Sequence, residues 1–327
     1  MYLVADIGAT NARFQQAFGD DSNHAHDSAK ADADRTPAIF PTADFSQAGD
    51  LFAAVNEHFG TCTYQQVVIA AAGPRQDDGT IQTTNTGLIL DSAAGQEHFA
   101  APTHLVNDFY ALAFGVPYYQ QLLQVGGADT PPRANKVILG PGTGLGMAGV
   151  VDMDPHWQVV PTEGGHADLA PGSALEAELW GVLSQSLGHV SWEAVLSGPG
   201  LVNLYGAMCA VWGTKSDSLS PADIVAQGVD MQSPVCHQTL ETFAGFLGSA
   251  AGNLALMFLA RGGVYLAGGI AQKLASFLQT SPLRRRFEER GPMSSLVSTI
   301  PLYIVADPEP GLLGAYRLAE SLEAKTE

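Results

Sequence analysis

The sequence predicts an α/β protein built from two lobes, and three observations support this prediction. The chain has 327 residues, more than a single hydrophobic core usually holds. Apolar strands alternate with helical stretches, as in α/β folds with largely parallel sheets. An apolar strand, a glycine turn and a second strand open the chain at "LVADIGATNARFQQAF", and the pattern recurs at "KVILGPGTGLGMAGVVD". Each lobe is therefore expected to begin with a hairpin.

The first half continues with a stretch rich in Gly, Asp, Ala and Pro over residues 19–50. The spacing of apolar residues then predicts a helix at "FSQAGDLFAAVNEHF", and the continuous apolar run in "QQVVIAAAG" predicts a buried strand. The acidic segment 19–36 is typical of a solvated loop, and we assign no function to it. Metal binding by His24 and His26 is a minor alternative for this segment.

The second half has helical spacing over residues 172–188 and 238–260. "GGVYLAGGIA" predicts a buried strand that leads into a helix, and "PLYIVAD" predicts the last strand. "PEPGLLGAYRLAESL" predicts a closing helix with Pro and Gly at its start. Because no low-complexity linker separates the halves, the two lobes are expected to share a deep cleft.

The charge balance argues against two classes of partner. The chain has 33 Asp and Glu against 15 Lys and Arg, a net charge of −18. This excess would repel both nucleic acid and anionic membrane surfaces. Neither is therefore expected as a partner.

The cysteine and terminal patterns favour a cytoplasmic protein. Cys62, Cys209 and Cys236 are few and far apart, which fits neither a disulfide framework nor a zinc site. The start "MYLVADIGAT" has no basic segment before its apolar residues. Glycines interrupt the apolar run 243–260, so a buried helix is a better interpretation than a membrane span.

The turn "GPGTGLG" contains Gly140, Gly142, Gly144 and Gly146. Residues 144–149 match the dinucleotide-binding pattern G-x-G-x-x-G, but that pattern needs a following helix, and "MAGVVD" is strand-like. The remaining interpretation is a hairpin turn whose backbone amides face phosphate oxygens. The structural alternative is a tight hairpin that needs positive φ angles. Two such turns, one opening each half, favour phosphate binding.

The first turn also carries polar side chains. Asp6 lies at the end of the first strand, and Thr10 and Asn11 follow Gly8 in the turn. A carboxylate here suits a Mg²⁺ ion reached through water, because Mg²⁺ keeps most of its hydration when it serves nucleotide phosphates. Thr10 and Asn11 add short polar groups for phosphate. The alternative is that Asp6 only caps the turn.

A second polar group follows the short apolar strand "THLV". Asn107 and Asp108 come directly after it and precede an apolar helical run. One interpretation makes Asp108 a helix N-cap. The other makes it a carboxylate at a cleft that accepts a proton from a hydroxyl nucleophile.

Further candidate ligands lie in "PTEGGHADLAP" and "VSWEAVLSGPG". The first stretch supplies Glu163 and His166, separated by two glycines that allow close approach to a small ligand. The second supplies Glu193, for which a helix-capping role is the alternative. A buried set of Asn, Asp, two Glu and His would suit a sugar-sized polyol, because each carboxylate can accept two hydroxyls.

Seven stretches occur in order over nearly the whole chain, and together they resemble bacterial glucokinases. They are "ADIGATNARF", "VNDF", "GPGTGLG", "PTEGGHAD", "LSGPGLVNLY", "AGGIA" and "PGLLGA". Each motif is weak alone, whereas the ordered set is highly specific. Bacterial glucokinases belong to the superfamily of sugar kinases, heat-shock proteins and actin.

The resemblance implies a two-lobed actin-like ATPase fold of the ribonuclease H-like type with a central cleft. The small lobe would comprise residues 1–118 plus 310–327, and the large lobe residues 119–309. The implied reaction is ATP-dependent phosphorylation of the glucose 6-hydroxyl, with Mg²⁺ as cofactor and a homodimer as the expected assembly.

The resemblance also implies roles for individual residues. Asp108 would be the catalytic base. The implied glucose ligands are Asn107, Glu163, His166 and Glu193. The implied nucleotide-binding residues are Asp6, Gly8, Thr10, Asn11, Gly142, Thr143, Gly144, Gly268 and Gly269, with Asp6 also reaching the metal through water.

One departure bears on sugar preference, because "TNTGLIL" at residues 84–90 lacks an aromatic residue expected near the sugar loop. A kinase for another hexose is therefore an alternative, and the sequence also leaves a phosphoryl donor other than ATP open. A non-catalytic sugar-responsive regulator would need a helix-turn-helix ahead of the first strand, yet that strand is predicted from residue 2. An actin-like or chaperone-like ATPase would share the phosphate turns without the sugar ligands.

Overall fold

The computed structural model describes residues 1–8, 10–18, 36–60, 62–73, 76–83 and 87–323. It separates into two compact units, Met1–Tyr119 with Pro308–Glu327, and Gln120–Asp307. The acidic segment 19–35, with His24 and His26, and residues 84–86 of "TNTGLIL" lie outside the described residues.

The first unit contains a mixed sheet with the strand order β3-β2-β1-β4-β7. Strand β1 pairs antiparallel with β2 and parallel with β4, which in turn pairs parallel with β7. A small antiparallel pair, β5 and β6, accompanies this sheet. The strands are β1 Tyr2–Ile7, β2 Asn11–Ala17, β3 Ala38–Pro41, β4 Gln66–Ala71, β5 Ile81–Gln82, β6 Ile89–Leu90 and β7 Thr103–Asn107.

Helices cover both faces of this sheet. They are α1 Ala48–Phe59, α2 Ser92–Phe99, α3 Asp108–Gly115 and the closing helix Pro310–Glu323. Side chains of a strand alternate between the two faces of its sheet. Accordingly, Leu3 packs in the cluster that holds α1 and α2, while Val4 packs with the closing helix and α3. Both faces of β1 are therefore buried.

The second unit contains a larger sheet with the order β11-β10-β9-β12-β13-β8. Its strands are β8 Leu122–Gln124, β9 Lys136–Pro141, β10 Leu145–Met153, β11 His156–Thr162, β12 Val264–Leu266 and β13 Leu302–Val305. Its helices are α4 Ala174–Leu187, α5 Gly198–Trp212, α6 Pro221–Val229, α7 Pro234–Phe258, α8 Gly269–Lys273, α9 Ala275–Thr280, α10 Leu283–Glu288 and α11 Ser294–Val297.

The two sheets share one pattern of strand pairing. In the order β11-β10-β9-β12-β13, the first two pairings are antiparallel and the next two parallel, as in β3-β2-β1-β4-β7. The hairpin β1–β2 therefore corresponds to the hairpin β9–β10. The predicted recurrence of strand, turn and strand is confirmed, and the strand β10 after "GPGTGLG" excludes the dinucleotide-binding interpretation, which needs a helix there.

The long apolar helix predicted near residue 250 is α7, and its residues from Phe243 to Gly252 are buried in the core of the second unit. Within the part of the chain that the structure describes, no helix has the length and apolar character needed to cross a membrane.

Candidate active site

The first part of the site lies at one edge of the first sheet. Strands β1, β4 and β7 are parallel, so their carboxyl ends meet at the same edge, where α/β proteins bind ligands. Asp6 is the penultimate residue of β1, Asn107 ends β7, and Asp108 begins α3. The fold therefore brings these three predicted residues to one edge.

The N-cap of α3 is Asn107, which corrects the alternative that Asp108 is the cap. Asn107 Oδ1 accepts hydrogen bonds from the backbone N–H groups of Phe109 at 2.9 Å and Tyr110 at 3.2 Å. Its Nδ2 donates to the carbonyl of Gly73 at 3.2 Å. Asp108 accepts one bond, from the N–H of Phe109 at 2.8 Å. Because Asn107 caps the helix, the second oxygen of Asp108 is left for other chemistry.

The two carboxyl groups are strongly perturbed. Burial raises the pKa of Asp108 from 3.8 to about 7, and the nearby charge of Asp6 raises it as well. Burial also raises the pKa of Asp6 to about 6, against the lowering effect of Arg13. A carboxyl group whose pKa lies near neutrality is well matched to proton transfer. Asp108 thus has the electrostatic properties of a general base.

The turn between β1 and β2 is compact. The N–H of Gly8 donates to the carbonyl of Asn11 at 3.0 Å, and the carbonyl of Thr10 accepts from Thr42 at 3.0 Å. Thr10 is exposed, while Gly8 and Asn11 are half-buried. Residue 9, between them, lies outside the described residues. The side chain of Thr10 is therefore accessible to a ligand.

The corresponding turn between β9 and β10 is closed by the N–H of Gly142, which donates to the carbonyl of Gly144 at 2.8 Å. Neither Gly142 nor Gly144 has a positive φ, so the structural alternative of a tight hairpin that needs such angles is wrong. Thr143 is exposed, and a Cβ added to Gly142 would meet no atom within 4 Å. The turn is therefore open on the side of Gly142.

Gly268, the N-cap of α8, and Gly269, its first residue, lie beside this turn. Gly268 has a φ of 86°, and a Cβ there would lie 2.9 Å from the carbonyl oxygen of Pro141. Gly269 is exposed, with open space around it. Only glycine readily combines this conformation with so close an approach. The structure thus places the "AGGIA" motif against the glycine turn.

Glu193 is tied to the same turn and does not cap a helix, so the capping alternative is wrong. Its Oε2 accepts a hydrogen bond from the N–H of Leu145 at 2.8 Å. The following helix, α5, begins at Gly198 and is capped by Ser197. Glu193 is therefore free to present its other oxygen to a ligand.

Glu163 and His166 lie at the short 3-10 helix Gly164–His166. Both are exposed, so the expectation of a wholly buried set of sugar ligands is wrong for these two residues. His166 Nδ1 lies 3.9 Å from Glu193 Oε1. A backbone hydrogen bond keeps His166 and Glu193 close together, because the N–H of Glu193 donates to the carbonyl of Gly165, the residue before His166, at 2.8 Å.

Sequence reasoning missed one residue beside this pair. His189 Nε2 lies 3.2 Å from the carbonyl oxygen of His166, and its Nδ1 lies 3.3 Å from Asp168 Oδ1. Within the second unit, the structure therefore gathers His166, Glu193 and the glycine turn, and His189 supports the segment that carries His166.

The match to known proteins decides the family. The model of the family described as Glucokinase matches residues 3–322. The chain belongs to the glucokinase family. The curated glucokinase of Saccharophagus degradans is 36% identical over 317 residues, which cover 96% of each chain.

Two solved glucokinases share the fold over nearly their whole length. A glucokinase from an Antarctic psychrotroph has a TM-score of 0.83 and 34% identity, with 98% of each chain covered. The glucokinase of Balamuthia mandrillaris, solved in complex with glucose, has a TM-score of 0.79 and 25% identity, with 98% of this chain and 93% of that chain covered. The actin-like ATPase fold class predicted from the sequence is confirmed.

Asp6, at the edge of the first sheet, fits the Mg²⁺ cofactor that this family implies. Mg²⁺ is typically held by one or two carboxylates together with substrate phosphates and water. Asp6 and Asp108 lie close enough for the charge of Asp6 to raise the pKa of Asp108. Asp6 can therefore supply a carboxylate oxygen donor for the ion beside Asp108.

Proposed function

We propose that this protein transfers the γ-phosphoryl group of ATP to the 6-hydroxyl of glucose, giving glucose 6-phosphate and ADP. The observation that carries this proposal is Asp108, whose carboxyl group lies at the carboxyl end of β7 with its pKa raised to about 7. Membership of the glucokinase family supports the same reaction.

Asp108 is proposed as the base for the glucose 6-hydroxyl. As the oxygen of this hydroxyl forms a bond to the γ-phosphorus, the bond from that phosphorus to the bridging oxygen of ADP breaks. The hydroxyl proton passes to Asp108. Because phosphoryl transfer needs little covalent help, alignment of the two substrates and charge stabilisation carry most of the catalysis.

Four side chains are proposed to bind the sugar hydroxyls: Asn107, Glu163, His166 and Glu193. The oxygen of the Asn107 amide is already occupied by the cap of α3, so its contact with sugar would use the remaining N–H of Nδ2. One carboxylate oxygen of Glu193 accepts the hydrogen bond from the N–H of Leu145, and the other lies 3.9 Å from His166 Nδ1. This second oxygen is the one proposed to accept a sugar hydroxyl.

Backbone amides of the two glycine turns are proposed to bind the phosphates. The first turn supplies Gly8, Thr10 and Asn11, and the second supplies Gly142, Thr143 and Gly144. Gly268 and Gly269 would contact the adenosine. Asp6 would hold Mg²⁺ through water, and the bound ion would neutralise phosphate oxygens.

The proposal also includes a movement of the two lobes and a dimeric assembly. Residues 1–118 with 310–327, and residues 119–309, would act as two lobes that close on the substrates. The protein would work as a cytoplasmic homodimer, as its resemblance to bacterial glucokinases implies. Sedimentation velocity would test the dimer, because a single species at the mass of one chain would contradict it.

The decisive experiment is a coupled assay of phosphoryl transfer. It would compare glucose with mannose, fructose and galactose, and ATP with GTP and polyphosphate, each with and without Mg²⁺. Glucose with ATP and Mg²⁺ should give the highest kcat/KM. A higher kcat/KM for another hexose would reassign the substrate, and absence of transfer from every donor would contradict the proposed reaction.

A further inference from the structure

The motif "PGLLGA" at the start of the closing helix has no role in the site described above. Pro310 is the first residue of this helix, and the carbonyl of Glu309 accepts its first backbone hydrogen bond, from Leu313 at 3.1 Å. Proline at this position fixes where a helix begins. The start of the closing helix is therefore well defined, and the residues just after it have fixed neighbours.

Gly311 lies against the carboxyl group of Asp6. A Cβ added to Gly311 would be 2.5 Å from Oδ2 of Asp6 and 2.8 Å from its Cγ. Asp6 lies on the same face of β1 as Val4, and this face packs on the closing helix. The absence of a side chain at Gly311 is therefore what leaves room for the Asp6 carboxyl group.

The closing helix cannot easily move away from Asp6, because it is anchored on both sides. A Cβ on Gly314 would overlap the carbonyl oxygen of Ala111 in α3. Tyr119 Oη donates to the carbonyl of Leu112 at 2.8 Å, and lies 3.4 Å from that of Pro310. Before the helix, Glu309 Oε2 lies 3.4 Å from Nε of Arg13 on β2.

These contacts place the closing helix against β1, which carries Asp6, and against α3, which begins with Asp108. Its second residue, Gly311, meets Asp6, and Gly314, one turn later, meets α3, which begins with Asp108. A methyl group at Gly311 would meet the end of a side chain that can rotate. The expected response is therefore a displaced carboxyl group in a folded protein.

We propose that Gly311 is a positioning residue for Asp6. The absence of a side chain at Gly311 fixes the position of the Asp6 carboxylate relative to the Mg²⁺ and the phosphates. This inference rests on the proposed function, in which Asp6 holds Mg²⁺ through water. Gly311 itself touches neither the metal nor a substrate. Its effect on the reaction passes entirely through the side chain of Asp6.

A double-mutant cycle tests the contact without any metal or substrate. Thermal melting would compare the parent, Gly311→Ala, Asp6→Ala and the double variant. Gly311→Ala should lower Tm, and the fall should be at least halved when Asp6 is already alanine, because the methyl group then has room. Equal falls in both backgrounds would overturn the proposal, as would a double variant that fails to fold.

A binding experiment tests the consequence for the metal. Calorimetry would measure the affinity for ADP with and without Mg²⁺, together with the affinity for glucose. Gly311→Ala should lose most of the Mg²⁺-dependent gain in ADP affinity, and glucose affinity should stay within about twofold. Gly206→Ala is the control, since it adds the same methyl group within a helix, α5, at a position where a Cβ would meet no atom within 4 Å, and it should keep that gain.

The outcomes separate this inference from the proposed function. If Asp6→Ala keeps the Mg²⁺-dependent gain in ADP affinity, Asp6 does not hold the metal, and that part of the proposed function is wrong. If Asp6→Ala loses the gain while Gly311→Ala keeps it, only the positioning role of Gly311 fails. Equal losses in Gly311→Ala and Gly206→Ala would also overturn that role, because the cause would then be a general effect of the added methyl group.

Discussion

Glu193 and Leu145 are joined by a hydrogen bond of 2.8 Å, from the Leu145 N–H to Oε2 of Glu193. Leu145 begins β10 directly after Gly144 of the turn that is proposed to bind phosphate, whereas Glu193 is proposed to bind sugar. His166 lies 3.9 Å from the other oxygen of Glu193. A displacement of this one carboxylate would therefore alter both parts of the site.

The first prediction concerns the glycine next to this bond. A Cβ on Gly144 would lie 2.5 Å from Glu193 Oε2, so Gly144→Ala should push the carboxylate off the N–H of Leu145. The Glu193 carboxylate would lose this charged hydrogen bond and, with it, the position from which it is proposed to bind glucose. The glucose Kd should therefore rise by roughly tenfold or more. Isothermal calorimetry with glucose alone would measure it.

Gly142→Ala is the matched control for this prediction. A Cβ on Gly142 would meet no atom within 4 Å, so its glucose Kd should remain that of the parent, while its KM for ATP should rise if the turn binds phosphate. If Gly144→Ala also leaves the glucose Kd unchanged, Glu193 does not depend on the turn for its position.

The second prediction concerns a buried ion pair in the second unit. Glu176 Oε2 accepts from Arg286 Nη2 at 2.9 Å and from the Gly172 N–H at 2.6 Å. Both charged side chains are less than 10% exposed, at 8% and 9%. Glu176→Ala should lower the free energy of unfolding by about 3 kcal/mol, because it leaves a buried charge with less compensation. Urea unfolding would measure the loss.

Arg285→Ala serves as the control for the ion-pair prediction. Arg285 pairs with Glu289, but its side chain is 64% exposed, and exposed pairs contribute less than about 1 kcal/mol. The expected order is therefore a large loss for Glu176→Ala and a small one for Arg285→Ala. Similar losses for the two variants would show that burial does not govern the strength of these pairs.

The third prediction concerns the pH dependence of stability. In the folded protein the pKa of Asp108 is raised from 3.8 to about 7, so the folded state binds this proton more tightly than the unfolded chain. Its contribution to stability is therefore fully present below about pH 4 and is lost as the pH rises toward 7. Asp108→Asn removes this dependence.

Metal-free urea unfolding of the parent and of Asp108→Asn at pH 5 and pH 8 would check the sign. The free energy of unfolding of the variant, relative to the parent, should be higher at pH 8 than at pH 5. The raised pKa of Asp6 weakens both proteins alike as the pH rises and therefore cancels in this comparison, so that the difference reports Asp108. A difference that does not change with pH would show that Asp108 titrates near its ordinary value.

The features that the sequence predicted well depend on local patterns. The hairpins at β1–β2 and β9–β10 follow from apolar strands that flank a glycine turn. The role of Asn107 as the cap of α3 was missed in favour of Asp108, because both residues are good caps and only the backbone geometry distinguishes them.

The features that the sequence did not predict depend on contacts between distant segments. Glu193 was expected near a helix start, yet its partner is Leu145, 48 residues earlier. Gly311 meets Asp6 from the other end of the chain. No local pattern encodes such contacts, because they arise only when helices and strands pack.

The last prediction concerns the proposed base. Asp108→Asn preserves the size of the side chain and leaves the cap of α3 intact, because Asn107 provides it. An amide cannot accept the proton of the 6-hydroxyl, so kcat should fall by roughly two to four decades. Turnover at saturating glucose and ATP would measure the fall, with thermal melting as a test of folding.

Asp91→Asn is the matched control for this change. Asp91 caps α2 in the same unit and accepts from the N–H of Ala93 at 3.0 Å, and asparagine caps helices equally well. Its kcat should therefore equal that of the parent. If Asp108→Asn also turned over within a few-fold of the parent, Asp108 could not be the base. The raised pKa would then reflect burial beside Asp6, and the proton would have to pass to a different group or directly to the phosphate.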